Sequence, residues 1–281
     1  NYGDKGIKQK KKLLNSATTK LGTKLGIFFI KLALVGIIAL VVAGSCLVFG
    51  SFQGIIENAP DIASINVSPE GFATKIYDSD ENEIQTLSSA GANRTYVTLD
   101  QIPKDLQHAF IAIEDERFYE HNGIDMRGIL RAASITLSSG EMSQGASTIT
   151  QQLLKNNVFN AFNESTIEKI KRKVQEQYLA IKLETVMSKD AILENYLNTI
   201  NLGNGYYGVQ SAARGYFNKD VSELSISECA VIASITKSPT GLNPIRHADR
   251  NKDRQSQVLL NMKEQGYISQ EEYDEAVSDD V

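Results

Sequence analysis

Nineteen consecutive residues without a charge, Leu32 to Gly50 (LALVGIIALVVAGSCLVFG), constrain this 281-residue chain more than any other feature. As a helix rising about 1.5 Å per residue they cover roughly 28 Å, the thickness of a bilayer's hydrocarbon interior. Residues 1–31 carry eight lysines against Asp4 alone, and no comparable basic cluster follows the apolar run. The positive-inside rule therefore predicts a cytoplasmic amino terminus, one membrane span and an extracytoplasmic remainder. A cleaved signal peptide is the competing reading, since Ala43 and Ser45 offer small residues to a peptidase. The run is longer than the usual signal core, however, and nothing polar breaks it as it would a core helix.

Charge and cysteine use narrow the rest. After residue 31 there remain 21 basic and 33 acidic residues, so this remainder is strongly negative and a poor binder of nucleic acid. Cys46 and Cys229 match no metal-ligand spacing, and Cys46 falls in the apolar run, so neither a disulfide framework nor a zinc module holds the fold. With 42% hydrophobic residues and five prolines, the chain has the makings of a hydrophobic core.

Residues 51–71 read as a juxtamembrane connector, with Pro60 and Pro69. From Phe72 to Leu99 short alternating runs (ATKIY, EIQTL, RTYVTL) around the turn-like DSDEN predict a small β element. Beyond Pro103 the spacing predicts helices at 103–115, 127–137, 148–156, 166–187, 189–198, 209–217, 226–236 and 248–265. Ser225 with Glu228, and Ser269 with Glu272, form capping-box pairs, which makes those glutamates structural. The expectation is a mainly helical single domain with a minor β part on a membrane anchor.

Two motif matches are decoys. Gly203-Asn-Gly-Tyr-Tyr-Gly208 satisfies GxGxxG, but a helix-like stretch precedes it where a dinucleotide site needs a strand. Ser234-Ile-Thr-Lys237 satisfies SxxK without the later SxN and KTG elements.

Three polar concentrations remain. Glu114 to Gly123 (EDERFYEHNG) packs acids, an arginine and a histidine directly after an apolar helical face. Gly145 to Lys155 (GASTITQQLLK) opens a helix whose free backbone N–H groups suit an anion, with Thr148, Gln151, Gln152 and Lys155 recurring on one side. Lys169 to Ala180 (KIKRKVQEQYLA) puts Lys169, Arg172, Lys173 and Glu176 on one helical face. Each has a bland reading: a solvated helix end, an ordinary N-cap, and an i,i+4 salt bridge worth a few tenths of a kcal/mol. The functional reading is a diphosphate site with an ionised glutamate.

In order and wording these segments resemble the family 51 glycosyltransferases, the peptidoglycan polymerases found alone or as the amino-terminal half of class A penicillin-binding proteins. Glu114, Asp115, Phe118, His121 and Gly123 meet EDxxFxxHxG; Gly145, Ser147 to Gln152 and Lys155 meet GxSTITQQ with its lysine; Arg172, Lys173 and Glu176 meet RKxxE. KDAILENYLN with GNGYYGVQSAARGYF, and Leu224 to Ala233 with Pro239 and Pro244, supply the last two motifs. The chain departs from the pattern at Asn163, where the family usually places a basic residue; Lys169 and Lys171 are the candidates to replace it.

The resemblance implies a lysozyme-like, two-lobed helical domain at 102–266, after a basic tail (1–31), a transmembrane helix (32–50) and a connector with the β element (51–101), and before the start of a linker (267–281). It implies polymerisation of lipid II into β-1,4-linked glycan strands, with catalytic Glu114 and Glu176. Asp115, Phe118, His121, Ser147, Thr148, Gln151, Gln152, Lys155, Arg172 and Lys173 become the substrate-binding set. Lipid II, the growing strand, membrane lipid and cell-wall assembly proteins become the partners. A divalent cation such as Mg²⁺, or the neighbouring Arg and Lys, would shield the diphosphate from Glu176; the sequence does not choose. A muramidase-like hydrolase and a noncatalytic membrane scaffold are the rival functions. Beginning at Asn1 and ending in an acidic stretch, the chain reads as a portion of a longer, bifunctional protein, with a monofunctional enzyme as the other possibility.

Overall fold

The computed structural model describes residues 3–69, 71, 74–80, 83–87, 94–139, 145–159, 164–279 and 281. Asn163 lies outside the described residues, as do parts of the expected β runs. Helix α1 (Asp4–Glu57) joins the lysine-rich segment, the apolar run and the first residues of the expected connector without interruption. It is the only helix among the described residues long and apolar enough to cross a membrane. Its large apolar side chains are exposed, the opposite of a core helix.

Ala59–Val281 form a separate compact unit. Its strands β1 (Thr74–Tyr77) and β2 (Glu83–Leu87) pair antiparallel, with Thr74 opposite Leu87 and an irregularity at Ile76/Tyr77. The third expected run, RTYVTL, is not a strand. Its backbone is instead held by side chains of a helix, α6 (Lys189–Thr199). Val97 N–H donates to Asn198 Oδ1 at 3.0 Å, Asn198 Nδ2 donates to Val97 O at 2.8 Å, and Leu99 N–H donates to Glu194 Oε2 at 2.7 Å. Polar side chains satisfy the groups a neighbouring strand would otherwise bond, so alternation alone was a misleading signal here.

The next helices follow the expected spans closely: α2 (Lys104–Glu114), α3 (Met126–Ser139), α4 (Ile149–Asn157), α5 (Thr166–Val186), α6, α7 (Val209–Phe217), α8 (Ile226–Ser234) and α9 (Ala248–Glu264); α10 (Gln270–Ser278) lies in the stretch expected as the start of a linker, where only the Ser269 capping pair signalled a helix. Capping explains several starts. Both expected boxes form, and two unremarked ones join them, Ser165 with Glu168 and Asp220 with Glu223. The glycine-rich stretch before α7 is a turn between helices, as read. Gly208 there has φ 79°, and a Cβ would come within 2.8 Å of Asn198 O, so no larger residue fits without a shift.

α2 packs against α8 and α9, while α4 packs against α5 and α6. Phe110, Leu106, Ile149, Leu153, Leu179, Leu193 and Tyr196 lie in one buried cluster that joins these groups. The carboxyl end of α2 leaves carbonyls without helical partners. Ala112 O accepts from Asn261 Nδ2 of α9 and from Gln265 Nε2 just beyond it, each at 3.1 Å, which fixes where Glu114 emerges.

Candidate active site

Glu114 is the last residue of α2 and is half-buried. Its Oε2 accepts a hydrogen bond from Gln152 Nε2 of α4 at 2.7 Å, and its Oε1 accepts one from Thr236 Oγ1, just beyond α8. The Gln152 amide is oriented in turn: the fully buried Tyr196 hydroxyl donates to its Oε1 at 3.2 Å. Burial, reinforced by the charges of Glu114 and Asp115, pushes the Tyr196 phenol well above its usual range, so it serves as a donor. Arg254 of α9 lies within the field of Glu114; burial lowers its pKa and the carboxylate opposes that shift.

The residues after Glu114 turn inward. Asp115 Oδ1 faces His121 Nε2 at 2.9 Å, and Asp115 Oδ2 accepts from the Ile149 N–H at 2.9 Å, at the positive end of α4. Thr148 caps that helix, accepting from Gln151 N–H and donating to Gly123 O at 2.8 Å. Lys189 pairs with Glu184 at 2.8 Å, lies 3.4 Å from His121 Nδ1, and sits over the Phe118 ring at 4.4 Å. Asp115 and Phe118 are buried, so with His121 they join motifs to one another and present little surface to a ligand.

The expected cationic face on α5 forms a tight cluster. Lys173 Nζ donates to Ser147 Oγ at 2.7 Å and to Gln151 Oε1 at 3.1 Å, and pairs with Glu176 Oε2 at 3.2 Å. Arg172 Nη1 pairs with Glu176 Oε1, and Arg172 Nε with Glu164 at 2.8 Å. The Glu176 side chain is only 1% exposed, which takes this salt bridge out of the weak surface class. Burial alone would lower the Arg172 pKa, but Glu164 and Glu176 outweigh it and hold the guanidinium charge firmly. Lys155, exposed in the last turn of α4, follows Gln151 and Gln152 by one turn and has no ion pair among the described residues.

Helix α4 is therefore the wall shared by both halves: Gln152 reaches Glu114, while Gln151 reaches Lys173. Sequence reading missed Thr236, Arg254, Tyr196 and Glu164. Thr236 lay inside the discarded Ser234–Lys237 match; the Ser234 hydroxyl there is buried and donates to Val231 O at 2.7 Å, an internal helix bond. Arg254 and Glu164 sit in stretches with no motif to mark them. Lys169 and Lys171 are both exposed.

The Glu114 carboxylate of α2 and the Lys173–Arg172–Glu176 cluster of α5 are thus each bonded to α4, through Gln152 and Gln151. Residues 80–263 match the family described as Transglycosylase. The chain belongs to that family, whose relatives here are class A penicillin-binding proteins carrying a peptidoglycan glycosyltransferase domain. It is 42% identical over 247 residues to penicillin-binding protein 1A of Escherichia coli (strain K12), covering 88% of this chain and 28% of that protein. It is 44% identical over 200 residues to penicillin-binding protein 1F of Bacillus subtilis (strain 168), covering 71% of this chain and 27% of that one. The chain thus spans under a third of the length of these relatives. A crystal structure of penicillin-binding protein 1A from Haemophilus influenzae aligns with 74% of this chain and 20% of its own, at 26% identity and a TM-score of 0.41.

Proposed function

We propose that this chain polymerises lipid II, transferring the sugar chain from a polyprenyl-diphosphate donor to an acceptor hydroxyl with inversion, to give β-1,4-linked strands. The observation that carries the reading is the junction on α4, where adjacent glutamines bond Glu114 and Lys173.

The donor sugar is α-linked to a diphosphate, so one displacement gives the β product without a covalent enzyme intermediate. The acceptor oxygen bonds to the donor C1, the C1–O bond to the diphosphate breaks, and the acceptor proton passes to Glu114 as general base. Gln152 and Thr236 hold the carboxylate in place and leave each oxygen further lone pairs to take that proton. Negative charge then grows on the leaving diphosphate. Lys155, Arg172 and Lys173, set beforehand, stabilise it, with Ser147, Thr148 and Gln151 shaping the helix start beside them. Glu176 orients Arg172 and Lys173 from beneath. Asp115, Phe118 and His121 position these parts through α4 and α6.

The residues around Glu176 do not fit a divalent cation. Both its oxygens already face cations, and no group of three His, Cys, Asp or Glu side chains suited to a metal occurs among the described residues. The shielding of Glu176 is assigned to Arg172 and Lys173, and no step runs through a metal.

We further read α1 as a single-pass anchor, with the lysine-rich end in the cytoplasm and the catalytic unit outside, where the donor's diphosphate lies at the membrane surface. Leu130 and Leu137 of α3 are exposed and suit contact with lipid. Within this reading residues 102–266 are the glycosyltransferase domain. Incubating the full chain with labelled lipid II tests it: polymer supports the proposal, whereas fragments from preformed glycan would mark a hydrolase and no product a scaffold.

A further inference from the structure

Arg172 is held by two carboxylates where one would orient it. Glu176, buried below, pairs with Nη1. Glu164, immediately before the Ser165 cap of α5, pairs with Nε at 2.8 and 2.9 Å, its side chain 12% exposed. Arg172 and Lys173 against Glu164 and Glu176 leave this quartet formally neutral, which is a poor electrostatic starting point for an incoming diphosphate. Lys155 of α4 adds a positive charge that has no ion-pair partner among the described residues.

We propose that Glu164 is an affinity-determining residue, a carboxylate that occupies the Arg172 guanidinium in place of the substrate's diphosphate and gives it up when that group binds. The inference rests on reading Arg172 and Lys173 as the diphosphate site. Glu176 cannot play the exchangeable part: it is almost fully buried and bonded to two cations. Glu164 is bonded to Arg172 alone among the described residues, lies at the helix entrance, and presents the same kind of planar anionic oxygens to the guanidinium as a phosphate does. Exchanging one anion for another keeps the guanidinium paired throughout, so it is never left buried and bare.

The competing account is structural: Glu164 holds Arg172 in position and favours the α5 amino terminus through the helix dipole. The two accounts oppose one another in sign. Glu164→Gln keeps the size and an oxygen acceptor but removes the charge. In the full chain in detergent, inorganic pyrophosphate binding by calorimetry is expected to tighten roughly tenfold in this variant, the scale of one charge-assisted contact. KM for lipid II should fall in parallel, and the salt dependence of both should steepen. Unchanged or weaker pyrophosphate binding, with thermal stability retained, would overturn the inference and leave Glu164 as a structural brace. Glu164→Asp, which keeps the charge, should stay near wild type; tightening there too would also count against it. If the wild-type chain makes no polymer yet Glu164→Gln binds pyrophosphate more tightly, the anion exchange stands and only the polymerase reading fails. If polymer forms but pyrophosphate binding does not respond, the reverse holds.

Discussion

The side-chain amide of Gln152 donates to Glu114 Oε2 at 2.7 Å, and Tyr196, fully buried, fixes which way that amide points. A carboxylate at a helix end is otherwise free to swing. Held by Gln152 on one oxygen and Thr236 on the other, Glu114 is aimed before any substrate arrives. Gln152→Leu is expected to lower kcat about 10²-fold, the usual effect of losing alignment at a reacting group, with little change in KM. Thr236→Val should lower kcat about tenfold on the same grounds, and Thr236→Ser should restore it because the hydroxyl returns. Steady-state kinetics on lipid II separate kcat from KM and check both.

His121 and Asp115 form a buried pair whose loss should register as stability more than as binding. His121→Ala leaves Asp115 a buried anion with the Ile149 N–H in place but its largest partner gone. The expected cost is about 3 kcal/mol in denaturant unfolding. A variant as stable as wild type but with a raised KM would place His121 against substrate.

Gly123 has φ +82°, and a Cβ there would lie 2.5 Å from the Ala180 carbonyl carbon of α5. Gly123→Ala should therefore cost about 3 kcal/mol or more, combining backbone strain with a clash against main chain. Gly145→Ala, where a Cβ would meet nothing within 4 Å, should be close to neutral. Equal thermal shifts in the two variants would contradict the assigned packing.

Asp125 shows a depressed pKa: burial alone would raise it, but Arg117, bonded at 2.6 Å, and the Gly128 N–H outweigh burial. A carboxylate whose folded pKa lies below its unfolded value adds stability above the unfolded pKa and loses it as pH falls through the folded one. Acid unfolding should thus become less steep in Asp125→Asn, with lower stability at neutral pH and a smaller gap from wild type below about pH 3.8. Parallel stability–pH curves would show that this pair contributes nothing.

The helices were legible because their signals are local. Pro103, the capping pairs at Ser225 and Ser269, and the apolar spacing of α2 each act within a turn or two of chain. The residues of the site marked by dense polar wording, from Glu114 to Glu176, were legible for a similar reason: acids and bases concentrated after an apolar face stand out. Thr236, Arg254 and Glu164 were not. Thr236 meets Glu114 only through packing over 122 positions, whereas Glu164 meets Arg172 just eight positions on but in a stretch with no motif to mark it. RTYVTL shows the converse failure, in which a convincing strand pattern is captured by Glu194 and Asn198 of a helix more than ninety residues away. The inward orientation of Asp115 and Phe118 was hidden as well, since spacing places a residue on a face without saying what covers it.

The central claim is that Glu114 takes the acceptor's proton while the cations beyond Gln151 receive the diphosphate. Glu114→Gln keeps one acceptor oxygen for Gln152 Nε2, the Thr236 hydroxyl can turn to accept from the new amide, and the base is gone. Gel analysis of glycan strands made from labelled lipid II, run beside a lipid II binding assay on the same chain, tests this directly. The expected result is loss of polymer by at least about 10²-fold with binding and thermal stability intact. Strand synthesis near the wild-type rate in Glu114→Gln would contradict the account.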